Sequence, residues 1–156
     1  MKLKLVEDYI CEMAKIGFFN EKVGDSKHKT GFKVFVTNDS RPLAHIHIIS
    51  QNKEKKVCVR CDKEPRYFVH KGYPDKFTNK EAIEFNNFLK SKYKYPQVFL
   101  MGDMKFNVQT YWEYTIYQWK LENDDNIDNL PLKTDKDGFV IFPKQPNYAQ
   151  INNNET

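Results

Sequence analysis

Apolar residues at Leu3, Val6, Ile10, Met13 and Ile16 recur at spacings of three and four, which predicts an amphipathic helix over residues 2–16, stopped near Gly17. A polar stretch follows from Asn20 to Gly31. The pattern then shortens to runs typical of strands, over residues 32–37, 44–50, 55–61 and 66–70. The segment Asn38-Asp39-Ser40-Arg41-Pro42 is turn chemistry, because Asn and Asp side chains bond their own backbone and proline has no N–H for a ladder. Residues 51–54 and 62–65 read as hairpin turns. Four strands of an antiparallel meander are therefore expected in the middle of the chain.

Thr78 stands three residues before Glu81, the spacing of a capping box, and Ile83, Phe85, Phe88 and Leu89 give a helical stripe to about Tyr93. Residues 97–101 read as extended, with Gly102-Asp103 turning. From Asn107, the residues Val108, Trp112, Ile116 and Trp119 fit one helix face, while Trp112, Tyr114 and Ile116 also alternate as in a strand. Helix is the preferred reading. An acidic run over 122–129 predicts an exposed linker, and 138–142 a short strand or docking peptide. Residues 145–156 are rich in asparagine and poor in apolar side chains, which predicts disorder. The expected architecture is α+β: a central antiparallel sheet of about four strands with two or three packed helices. Residues 1–121 form one domain, 122–144 an acidic linker and docking segment, and 145–156 a disordered tail.

At 156 residues the chain suits a single core. No run of about 18 apolar residues suggests a membrane span, and Lys2, Lys4, Glu7 and Asp8 stand where a secretory signal needs apolar residues. Three cysteines make a poor disulfide framework, so reduced thiols and a cytosolic location are expected. Charge is unevenly spread. Residues 1–121 carry 22 Lys and Arg against 14 Asp and Glu, and residues 122–156 carry three against seven. A basic body attracts phosphate or an acidic protein surface, and an acidic tail can compete for that patch.

His45 and His47 are two of the four histidines, and strand spacing sends both rings to one face. One ring could act as base and the other as acid on a phosphodiester. Asp39 would then orient a ring, with Lys33 or Arg41 holding phosphate. A histidine-triad nucleotide hydrolase would have a third histidine at position 49, where Ile49 stands, and the paired H-x-T/S motifs of two-histidine phosphoesterases are absent. Cys58 and Cys61 form a C-x-x-C, but residues three apart on a strand point to opposite faces. With too few evident ligands, no metal or other cofactor is expected. A structural zinc module stays open as a further alternative. The remaining candidates form a basic aromatic surface: Arg60, Lys90, Lys92 and Lys94 with Tyr93, Tyr95 and Tyr111. Rings beside lysines suit single-stranded nucleic acid. Trp112 and Trp119 read as core residues, with the neighbouring tyrosines partly exposed.

The stretch from Gly31 to Ser50 resembles a family of small bacterial and phage proteins of unknown function. Its strand pair has an Asn-Asp turn with a proline, then His-x-His in the second strand, matched here by Asn38-Asp39, Pro42 and His45 with His47. Leu43 replaces a second proline of that pattern. The resemblance implies an α+β fold and a mobile-element or toxin–antitoxin setting, without a reaction. The leading expectation is a non-catalytic binding protein that holds nucleic acid or an acidic protein, with a small His-dependent phosphodiesterase or nuclease as the alternative.

Overall fold

The computed structural model describes residues 32–38, 44–50, 55–61, 64–68, 72–123 and 130–153, and the backbone of 18–19. The expected helix over 2–16, the turn carrying Asp39 and Arg41, His70, and residues 124–129 of the acidic run over 122–129 lie outside the described residues.

Four antiparallel strands form the main sheet in chain order: β1 (Phe18–Phe19), β2 (Phe32–Phe35), β3 (His45–Ser50) and β4 (Lys55–Arg60). Register pairs Val34 with Ile48 and Ile48 with Val57, so Phe32, Val34, Ile46, Ile48, Val57 and Val59 share one face. That face is the floor of the core. Of the expected strand over 66–70, the described residues 66–68 form a bridge between Tyr67 and Val59, flanked by bonds from Arg60 N to Arg66 O and from Phe68 N to Cys58 O. Asp75 occupies the next stretch of the same edge, in parallel with Val57. β4 is thus closed by two short segments. The other strands lie in two separate two-stranded ribbons, which corrects the expectation of one central sheet while leaving the α+β class intact.

Helix α1 (Asn79–Lys90) begins at the capping box read from Thr78 and Glu81, with both reciprocal bonds present. Its buried stripe is Ala82, Phe85, Phe88 and Leu89, and Phe32 meets Phe85 edge-on at 5.6 Å between ring centres. Ile83, counted in that stripe, faces solvent. The helix stops at Lys90 because Ser91 turns extended and its N–H caps Phe88 O. Glu81 does more than cap. Its carboxylate also accepts from Lys55 Nζ at 2.8 Å and from Ser50 Oγ at 3.0 Å, tying helix to sheet.

Burial alone would raise the Glu81 pKa, but the bonds from Lys55, Thr78 N–H and Ser50 outweigh it and hold the carboxyl below its ordinary value. A lowered folded pKa adds stability that is fully present above the unfolded value of about 4.3 and is lost as pH falls through the folded value. Glu81→Gln is expected to cost about 1–3 kcal/mol near neutral pH. Urea titrations across pH check this: the gap between wild type and variant closes in acid, and a gap independent of pH would contradict the assignment.

The next two strands form a hairpin, β5 (Lys92–Met101) and β6 (Met104–Thr110). Its two-residue turn is Gly102-Asp103, with Gly102 at a φ of +57° that a side chain disfavours. Residues 107–110 finish β6, and α2 (Tyr111–Glu122) starts four residues later than the sequence pattern suggested, at a second capping box between Thr110 and Glu113. α2 is buried on nearly every side, which is why no single period stands out in its sequence. Tyr111, Tyr114 and Tyr117, expected to be partly exposed, are buried. Tyr114 stacks on Tyr93 at 4.2 Å and Tyr117 on Phe99 at 4.3 Å.

The second ribbon, β7 (Lys133–Thr134) and β8 (Val140–Ile141), rests on β6 through a bond from Lys105 N to Gly138 O. The disorder expected for 145–156 is corrected over most of its length. Residues 148–153 form a 3-10 helix whose Tyr148 and Ile151 are fully buried. The Tyr148 hydroxyl donates to Arg60 O, and its N–H donates to Asn86 Oδ1 at 2.9 Å. Asn152 Oδ1 accepts from the Tyr67 hydroxyl at 2.6 Å. Burial pushes the Tyr67 phenol up to about 12. Asparagines here are partners of buried groups, so a composition that suggests disorder instead supplies the contacts. No helix among the described residues is long and apolar enough to cross a membrane.

Candidate functional site

The strand register that builds the core places a different set of side chains on the opposite face. Phe35, His47 and Cys58 lie side by side across β2, β3 and β4, with His45 two residues along β3. One ligand-type atom from each of His45, His47 and Cys58 lies within 4.8 Å of the other two. All three are buried, at 0%, 5% and 1% exposure.

Aromatic walls fix the imidazoles. His45 stacks on Phe68 at 4.5 Å and meets the edge of Trp119 at 5.0 Å, while Tyr73 meets His47 edge-on at 4.3 Å. Burial raises the Tyr73 pKa, and the neighbouring Cys58 adds to the rise. Towards the other end of the same face, Lys33 and Lys56 are exposed, so the sheet passes from a closed apolar site to a basic rim.

Cys61 lies with the core residues, away from Cys58. The C-x-x-C is therefore split across the sheet, as the strand period requires. Cys58 instead joins the histidines. Counting out four residues on each side of the predicted turn at 51–54 pairs His47 with Cys58, so the sequence held this signal in its hairpin register. Phe68 and Tyr73 carried no comparable signal, since they reach the site from an irregular segment.

Acid–base work on a phosphodiester needs substrate contact, and both rings are buried. Asp39 and Arg41 lie outside the described residues. Lys33 is exposed, and Arg60 stands opposite His45 in the register with partial exposure. The described structure thus brings the histidines together with a thiol, a set suited to binding a borderline-soft cation.

The basic aromatic candidates divide. Lys90, Lys92 and Lys94 are exposed, and Tyr95 is 60% exposed with Lys94 Nζ 5.6 Å from its ring centre. Tyr93 and Tyr111 sit in the core and meet edge-on at 5.4 Å. Burial also raises the Tyr93 pKa, with its hydrogen bond to Tyr114 adding to the effect. Two exposed apolar residues went unnoticed in the sequence: Val98 and Leu100, on the outward face of β5, with Leu100 at 71% exposure. A groove of about 560 Å³ between Pro65, Pro131 and Pro143 contains none of the predicted site residues. No protein-family model, curated protein or solved structure matches the chain, so the functional reading rests on these residues.

Proposed function

We propose that the chain is a non-catalytic binding protein that holds an acidic protein partner on the β5–β6 ribbon. The observation that carries this reading is the exposure of Tyr95, Val98 and Leu100 on β5, beside Lys90, Lys92 and Lys94. Exposed apolar side chains and lysines along one strand suit a protein interface with an acidic partner. Among the described residues β6 is the only strand paired with β5 and no described strand covers its far edge, an edge of the kind that accepts an added strand. Nucleic acid fits less well. Stacking platforms need exposed rings, and of the three tyrosines considered only Tyr95 is exposed. The resemblance around His45 and His47 supports a phage or mobile-element setting, in defence, anti-defence or toxin–antitoxin exchange. The lysine-rich surface and odd cysteine count support a cytosolic place of action.

Binding to co-encoded acidic proteins, and to RNA and DNA oligonucleotides, measured over a salt series, tests the reading. An acidic protein should bind, and a Lys92→Glu, Lys94→Glu, Leu100→Asp variant with unchanged circular dichroism should lose about tenfold or more in affinity. Binding to oligonucleotides alone, with a steep salt slope, would replace the protein partner by nucleic acid. No binding at low salt, or binding indifferent to the variant, would remove the ribbon from consideration.

A further inference from the structure

We infer that His45, His47 and Cys58 form a zinc site that clamps β3 to β4, separate from the ribbon that carries the proposed function. Two imidazoles and a thiolate are a borderline-soft donor set of the kind that takes Zn(II). Alkaline-earth cations prefer oxygen ligands.

Geometry supports the same conclusion. The donor atoms lie within 4.8 Å of one another, and tetrahedral zinc holds such donors about 3.4–3.6 Å apart, from bond lengths of about 2.0–2.3 Å. Closing that gap asks each side chain for a shift of about 1 Å or less, which small χ rotations supply without moving a strand. The backbone is already in place. His47 and Cys58 face each other across a ladder that runs without a register break from His45–Arg60 to Ser50–Lys55, and ligands on paired strands are held more firmly than ligands on loops.

The surroundings serve a metal as well. Phe68, Trp119 and Tyr73 pack against the two imidazoles, which limits their rotation and excludes bulk water. A metal ion is small enough to enter a site closed to a phosphodiester. Three protein ligands leave a fourth position for water. Binding converts the Cys58 thiol to a thiolate, with its proton released to solvent, so affinity rises with pH.

The full chain tests this directly. Metal content is measured after purification, and the chelator-treated protein is titrated with Zn(II) and with Co(II) as a coloured substitute. One equivalent should bind, Co(II) should show a thiolate-to-metal charge-transfer band with intense tetrahedral d–d bands, and Zn(II) should displace it and raise the thermal midpoint. Cys58→Ser should remove the charge-transfer band, and both it and His47→Gln should weaken zinc by more than about a hundredfold. Cys61→Ala should leave band and affinity unchanged. The thermal midpoint of metal-free Cys58→Ser separates loss of a ligand from loss of fold. If that variant does not fold, the wild-type Co(II) spectrum decides alone. A stoichiometric complex without the thiolate band, a band that survives Cys58→Ser, or no zinc binding would each overturn the assignment. None of these outcomes bears on partner binding at β5, so the two proposals stand or fall separately.

Discussion

Replacing Tyr148 with alanine is expected to lower the unfolding free energy by about 3–5 kcal/mol, a large share of the roughly 5–15 kcal/mol that a domain possesses. The ring is fully buried, meets Phe85 edge-on at 5.3 Å, and sends its hydroxyl to the carbonyl of Arg60 on β4. Tyr148→Phe keeps the ring and loses only that bond, at about 1 kcal/mol. Ile151→Ala should cost about 2–5 kcal/mol. The two losses will not add in full, because both act through docking of the same segment. Once residues 145–153 have detached, a further substitution there has nothing left to remove, and Asn86 regains water in place of Gln145 and Tyr148. The double variant should therefore match a chain ended after Lys144. Urea unfolding of the wild type and these five variants measures this, and an unchanged midpoint for Tyr148→Ala would show that the segment is not part of the core.

The second large effect is expected at Trp119. Its indole is fully buried and forms part of the wall around His45, so Trp119→Ala should cost about 3–5 kcal/mol and lower the thermal midpoint by about 6–20 °C for a chain of this size. Leu121, two residues on, is 39% exposed, and Leu121→Ala should change stability by only about 0.5 kcal/mol. Calorimetry of the pair separates burial from helix propensity, since both substitutions place alanine in α2. Similar losses in the two variants would mean that α2 is held by something other than the packing around Trp119.

Local chemistry made much of this fold legible. Thr78 with Glu81, Gly102 with Asp103, and the alternation through Ile46 and Ile48 each follow from hydrogen bonding or sterics within a few residues. Thr110 with Glu113 has the same capping signature, yet the run from Val108 to Trp119 obscured it. Elsewhere the determining partner was remote. Residues 66–70 have a strand-like composition, but β4's edge is shared with Asp75, and of the described residues 66–68 only Tyr67 bridges. Tyr93 and Tyr111 looked like surface rings beside lysines, and the ribbon folds over α2 and covers them. The paired histidines were plain in the sequence. Their union with Cys58 depended on the hairpin register, and their aromatic walls on tertiary packing, so the candidate site was only half visible.

The hydrogen bonds that close the molecule join residues far apart along the chain. Tyr148 reaches Arg60 across 88 positions, Asn123 reaches Thr37 across 86, and Tyr67 reaches Asn152 across 85. Loops of that length cost about 4 kcal/mol in closure entropy, up to a constant, before such contacts can form. The β3–β4 hairpin needs no such closure and can form in microseconds. In refolding, the strands carrying His45, His47 and Cys58 should pair early, with the enclosing segments arriving on the slower millisecond-to-second scale of non-local topologies. For that interval the three side chains are open to solvent, and a metal ion can reach them fastest then, before Phe68, Trp119 and Tyr73 pack around them.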